Sequence, residues 1–389
     1  MRHRPIVRAL NSAAARAARR AALPARIGSL LLSAVLCAAC APSALLTYRP
    51  EQPLTAHVPL ARAGIDDARA GFAAVLAAEL AGAGDVAAIA WLPNTVAAPH
   101  VDHAGLAARF AARAPSTSVL IAPGLFGDCV SAQSVPFGDG VLRSPKLSGV
   151  DAYRQYDRLG LRSIRMVPLP GRASSEVNGR LLADAIRAEA AQPGVQRILV
   201  VAYSKGLPDL LHALALLERD GGLPRSLAAV VSVAGAVMGT PLADYYEPTY
   251  DALSPWITPL DCTPSQGGDL GSLTRRERVA WLAAHPLPAG PAYYSIVAHT
   301  VPEEMSPALR WPARLLAAVE PRNDGQLVAA DALLPGSTLL LAARSDHWDL
   351  ALPLDRHPDA ALRALTSGRT FPREAVFAAT MKWVLGLGH

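Results

Sequence analysis

From residue 117 onward the chain alternates short, almost wholly apolar runs with helical segments, and this alternation constrains the fold more than any other feature. The runs that read as strands lie at 118–122, 163–168, 196–202, 227–237, 293–299 and 337–343. Between them Ser174 and Ser175 can cap a helix running to about 191, and a second helix spans 205–219. A third, over 373–385, closes the chain. Strands this apolar need cover on both faces, so the pattern predicts an α/β fold with a mostly parallel sheet between layers of helices. In such sheets ligands sit at the carboxyl ends of the strands. Functional residues are therefore expected just after strands.

Composition excludes a disordered chain: of 389 residues, 51% are hydrophobic and only 18% charged. A core of this size needs no disulfide staples. The net charge of +5 suggests an acidic partner until it is located. Residues 1–39 hold seven arginines and no acid, so the rest of the chain is net acidic, at −2. Nucleic acid is not an expected partner.

The arginine-rich start has the layout of an export signal. Basic residues end at Arg26, an apolar run follows over 27–36, and Ala38 and Ala39 precede Cys40. The stretch Leu36-Cys37-Ala38-Ala39-Cys40 resembles a bacterial lipoprotein box. That resemblance implies export, lipidation of Cys40 and residence in the cell envelope. An ordinary cleaved signal and an uncleaved anchor remain open. No later apolar run approaches the ~20 residues of a spanning helix. Membrane contact is thus expected only through the signal or a lipid anchor.

Residues 1–40 read as this leader, 41–115 as a tether and N-terminal helical extension, and 116–389 as the main domain. Within the extension, 62–82 has Ile65, Phe72, Val75, Leu76 and Leu80 at helical spacing, whereas 83–115 has no clear pattern. Cys129 and Cys262 form a candidate disulfide in an exported chain, or are two inert thiols. His100 and His103 lack a third ligand nearby and read as a polar loop, and no metal or organic cofactor is expected.

The run at 196–202 leads into Ala202-Tyr203-Ser204-Lys205-Gly206 and then directly into a helix. Small residues flanking a serine at a strand-to-helix junction suit a sharp turn that exposes a nucleophilic hydroxyl. Such a serine needs a base, and the base an orienting acid. The chain supplies Asp324 in Arg-Asn-Asp-Gly and His347 in Ser-Asp-His-Trp, just after the last strand run. His299 is the runner-up base. His285 and His357 read as surface residues, and Asp209 as a surface or packing residue. The loop after the first strand run, Pro123-Gly124-Leu125-Phe126-Gly127, could offer backbone N–H donors. As a phosphate cradle it lacks the lysine and hydroxyl of a P-loop.

Together these motifs resemble the α/β-hydrolase superfamily, in particular bacterial lipase- or esterase-like serine hydrolases, over about 117–389. The resemblance implies a Ser204–His347–Asp324 triad, with the N–H groups of Leu125 and Lys205 as oxyanion hole and Phe126 able to share. It implies a small apolar ester as substrate. An acyltransferase or peptidase would use the same residues, and a non-catalytic envelope lipoprotein could retain the fold. Residues 239–290 are too long for a simple crossover. They carry Tyr245, Tyr246, Tyr250, Trp256 and Trp281, expected either as a lid over an apolar acyl chain or as packing against the body.

Overall fold

The computed structural model describes residues 64–82, 101–127, 135–138, 150–253, 265, 267–357 and 360–387. All of them fall within one compact unit, Tyr48–His389. Cys40, Cys129, Cys262 and Trp256 lie outside the described residues, so the lipidation site and the candidate disulfide do too.

The strands are β1 (Asp66–Asp67), β2 (Thr117–Ala122), β3 (Ser163–Met166), β4 (Arg197–Tyr203), β5 (Leu227–Val233), β6 (Ala292–Ala298) and β7 (Thr338–Ala343). They form one sheet in the order β1-β7-β6-β5-β4-β2-β3, and every neighbouring pair is parallel. This is the parallel α/β sheet that the alternation predicts, and it agrees with the α/β-hydrolase fold that the resemblance implies.

The helices are α1 (Arg69–Gly82), α2 (His103–Arg113), α3 (Ser175–Ala190), α4 (Gly206–Arg219), α5 (Pro241–Leu253), α6 (Arg275–Ala284), α7 (Arg310–Ala317), α8 (Ala360–Arg363) and α9 (Arg373–Leu387). The two-residue period of β4 divides the core. Ile198, Val200 and Ala202 pack with Leu182 and Ile186 of α3 and Leu210 and Leu214 of α4. Leu199, Val201 and Tyr203 join the opposite layer with α1, α2 and α9. Ser174 caps α3, its hydroxyl accepting the Val177 N–H at 3.3 Å.

Two boundaries differ from the sequence expectation. The helix expected over 62–82 begins only at Arg69. Before it the chain runs along the sheet edge, where the Asp66 and Ala68 N–H groups each donate at 3.0 Å, to the Ser337 and Leu339 carbonyls. Asp67 then pairs with the Arg69 guanidinium at 2.7 Å. The strand expected over 227–237 stops at Val233. Ala234 has φ 41°, outside any strand, and Ala236 donates its N–H to the Ser204 carbonyl at 3.1 Å. That segment supports the turn at Ser204 instead of extending the sheet.

The extension packs on the body. Phe72 of α1 meets Trp383 of α9 edge-on, with ring centroids 6.0 Å apart. α2 lies in the stretch without a clear sequence pattern. Asp102 caps it through the Gly105 N–H at 2.9 Å, so His103 opens a helix and is not part of a loop. Arg109 and Arg113 of α2 donate to the Gly386 and Leu385 carbonyls at the end of α9. Both guanidiniums thereby meet the negative end of the helix dipole.

Candidate active site

β4 ends at Tyr203 and α4 begins at Gly206, so Ser204 occupies the junction with φ 54°. That left-handed backbone is strained by about 1–3 kcal/mol for a non-glycine residue and must be held by its surroundings. Three backbone bonds hold it: Ser204 donates its N–H to the Val233 carbonyl at 3.1 Å, and its carbonyl accepts from Leu207 at 3.2 Å and from Ala236 at 3.1 Å. Glycine is required at 206, where a Cβ would lie 2.4 Å from the Ala122 carbonyl oxygen and 2.6 Å from that of Pro123. Gly124 is needed similarly, since a Cβ there would come within 2.9 Å of Ser204 Cβ. Ala202 meets no such constraint, because it lies in β4 paired with Ala122 and Ser232.

His347 follows β7, and Asp324 lies on the turn after α7. The His347 ring bridges the two partners, with Nε2 at 2.9 Å from Ser204 Oγ and Nδ1 at 2.7 Å from Asp324 Oδ2. All three residues are buried. Asp324 Oδ1 accepts the N–H groups of Gln326 at 2.9 Å and Leu327 at 2.7 Å. Its carbonyl accepts the His347 N–H at 2.9 Å. The hydrogen-bond pattern assigns the ring proton to Nδ1, facing the carboxylate that accepts two backbone N–H groups, and leaves Nε2 to accept from the serine hydroxyl.

The Leu125 and Lys205 N–H groups make no hydrogen bond with the described residues. Phe126 does not share their position as expected, because its N–H donates to the Gly171 carbonyl at 3.1 Å.

Among solved structures, the chain is similar to a metagenomic carboxyl esterase, MGS0156. The two are 31% identical with a TM-score of 0.68, over 88% of this chain and 97% of the other. The chain belongs to the carboxyl esterases of the α/β-hydrolase fold. A lipase of Bacillus licheniformis in its mature form is 18% identical over 68% of this chain and 92% of its own, with a TM-score of 0.46. Lipase 1 from Pelosinus fermentans is 12% identical over 69% and 99%, also with a TM-score of 0.46. The assignment rests on the esterase. No protein-family model and no curated protein matches the sequence.

The protein is thus a hydrolase enzyme, which sets aside a non-catalytic envelope role. A cavity of about 260 Å³ adjoins Ser204 and His347 in this hydrolase. Its walls are mainly apolar, formed by Phe126, Pro136, Trp348, Leu352, Leu362 and Leu365 among others. The wall after His347 was not foreseen. Its signal was a cluster of leucines after the last strand with no strand or long helix to place them.

The described part of 239–290 does not line this cavity, and 254–264 and 266 of that stretch lie outside the described residues. Its rings pack on the body. Tyr245 and Tyr246 meet edge-on at 4.7 Å. Tyr250 donates to Asp269 at 2.8 Å and accepts from Arg172 at 3.3 Å. Trp281 stacks between His212 and His285, at 4.5 Å and 4.3 Å.

The other candidates have separate roles. Burial, helped by the positive charges of Arg278, His285 and Lys205, holds His212 down to about 3, so it stays neutral. Burial likewise lowers the pKa of His299, which makes no hydrogen bond with Ser204. His357 is buried, against expectation, while His285 is exposed. Asp346 accepts the N–H groups of Ser306, Trp348 and Asp349 and so braces the loop carrying His347. Asp209 is also buried, as the partner of Lys205.

Proposed function

We propose that the protein is a serine carboxylesterase that cleaves small, uncharged esters with an apolar acyl group through an acyl-enzyme on Ser204. One observation carries the reading: a single imidazole stands 2.9 Å from the serine hydroxyl and 2.7 Å from a buried carboxylate. Ser204 Oγ attacks the ester carbonyl as its proton passes to His347 Nε2. Asp324 holds the ring and stabilises the imidazolium. The carbonyl oxygen, now an oxyanion, accepts from the N–H groups of Leu125 and Lys205, each worth on the order of a hundredfold or more in rate. His347 then protonates the departing alcohol, and water repeats the sequence to free the acid and the serine.

An apolar cavity of about 260 Å³ favours a short to medium acyl chain, since small-molecule sites commonly reach ~300–1,000 Å³. The similarity to a carboxyl esterase supports an ester over an amide as this chain's substrate. From the leader we further propose export and lipid anchoring at Cys40. Incorporation of labelled palmitate, lost in Cys40→Ala, tests that part.

A fluorophosphonate probe tests the enzyme reading. Labelling of wild type and its loss in Ser204→Ala are expected, together with hydrolysis of p-nitrophenyl butyrate. Wild type that takes no label and cleaves no p-nitrophenyl ester of any length would refute it. Faster transfer to an added alcohol or amine than to water would instead indicate an acyltransferase, and cleavage of peptides alone a peptidase.

A further inference from the structure

The proposed reaction draws its oxyanion donors from separate parts of the chain. The Leu125 N–H lies on the loop after β2, and the Lys205 N–H at the start of α4. Two such donors work together only while their separation is fixed. A run of hydrogen bonds through the interior joins the two loops. The Lys205 side chain turns inward and is 1% exposed. Its ammonium donates to both carboxylate oxygens of Asp209, at 2.7 Å and 3.0 Å. Asp209 Oδ2 accepts from Asn178 Nδ2 of α3 at 2.8 Å. The same Nδ2 donates to the Pro170 carbonyl at 3.1 Å, on the loop after β3. The next carbonyl on that loop, Gly171, accepts the N–H of Phe126, the neighbour of Leu125.

Asn178 is the joint of this run. Both of its partners are acceptors, so its NH₂ must face them. Its Oδ1 is buried without a hydrogen-bond partner among the described residues. A buried amide oxygen left unsatisfied is unfavourable, and an apolar residue would avoid it. Asparagine suits this position only if its donors are needed.

We propose that Asn178 is a positioning residue that holds the Leu125 and Lys205 N–H groups in register through Asp209 on one side and the Pro170–Gly171 loop on the other. The inference rests on the serine esterase reading. Asn178 touches no reacting atom. Its effect falls on the step that creates the oxyanion, in which Ser204 Oγ bonds to the carbonyl carbon, its proton moves to His347 and the C=O electron pair moves to oxygen.

The test is Asn178→Leu, which retains bulk and removes the donors. Activity on p-nitrophenyl butyrate is measured per active site, counted by fluorophosphonate titration. Inhibition by an alkyl trifluoromethyl ketone is measured as well, because its adduct on serine carries the same oxyanion. The expected result is a kcat about 10- to 100-fold lower, KM within about twofold, and a Ki raised by the same factor as kcat falls. A purely structural role would lower the melting temperature and leave kcat and Ki per site unchanged, and that outcome overturns the proposal. If Asn178→Leu does not fold, Asn178→Ser, which retains a single donor, decides by the same criteria. A wild type that takes no fluorophosphonate refutes the esterase reading itself, separately from Asn178.

Discussion

The Tyr203 hydroxyl donates to the His347 carbonyl at 2.8 Å, and the two rings lie 5.1 Å apart. The residue before the nucleophile thus grips the backbone of the base across the sheet. Burial, reinforced by the nearby Asp324, Asp346 and Asp349 carboxylates, raises the phenol pKa well above its usual value, so the hydroxyl remains a donor at any ordinary pH. Tyr203→Phe removes this bond alone. It should destabilise the protein by about 1 kcal/mol, read by urea denaturation. It should also lower kcat about three- to tenfold as the imidazole loses registration with Ser204. An unchanged kcat would mean that the Asp324 contacts suffice to place the ring.

Asp324→Asn tests the orienting carboxylate. Its amide NH₂ can turn toward Nδ1 and favour the tautomer with the proton on Nε2, which cannot accept from serine. The fall in kcat should be about a thousandfold to ten-thousandfold near neutral pH, with little change in KM. Steady-state kinetics on the variant, with folding checked by circular dichroism, measures this. A loss below tenfold would contradict the role given to Asp324.

Leu365→Trp tests the cavity wall. Leu365 and Leu362 are half-buried leucines facing the site from the segment around α8. Filling that space should leave p-nitrophenyl acetate nearly unaffected and reduce kcat/KM for the octanoate by more than about tenfold. Equal losses on both esters would place the acyl chain elsewhere.

Asp349 is buried two residues after His347 and accepts a hydrogen bond from Ser367. Burial and the neighbouring Asp346 push its pKa up to about 7, with Asp355 adding to the rise and Ser367 and Arg373 opposing it. In the unfolded chain an aspartate titrates near ~3.9. The folded state therefore holds the proton more tightly. The resulting stabilisation is complete below about pH 4 and is lost as pH rises through about 7. Asp349→Asn should flatten the decline in stability between about pH 5 and about pH 8, measured by denaturant unfolding at both values. Asp331, also pushed up to about 7 by burial, titrates in wild type and variant alike and cancels from the comparison. An unaltered decline would show that Asp349 does not contribute.

Much of the sheet and of the site was legible in the sequence because the decisive signals are local. The unbroken apolar run of β4 marks a strand covered on both faces, and the short path from Ala202 to Gly206 suits a tight turn. Asp324 and His347 were readable from their order along the chain and their turn-forming neighbours. What was not legible depends on surfaces meeting. Tyr203 and His347 are 144 positions apart, and Asn178 and Asp209 31 apart. The edge strand β1 has two exposed residues and no apolar pattern, so it exists only because β7 offers free backbone groups.

The sequence by itself determined the parallel sheet and the junction at Ser204, since local periodicity and turn chemistry suffice for these, and the order of motifs resembling the α/β-hydrolases named its two candidate partners. An apolar side chain announces that it will be buried, but not against what. Only the tertiary structure decided that the leucines after His347 wall the cavity while Tyr250 and Trp281 pack against Arg172 and His212. Likewise, Lys205 and Asp209 are a local pair four residues apart at the start of α4, but it took the packing of α3 against α4 to join that pair, through Asn178, to the loop bearing Leu125.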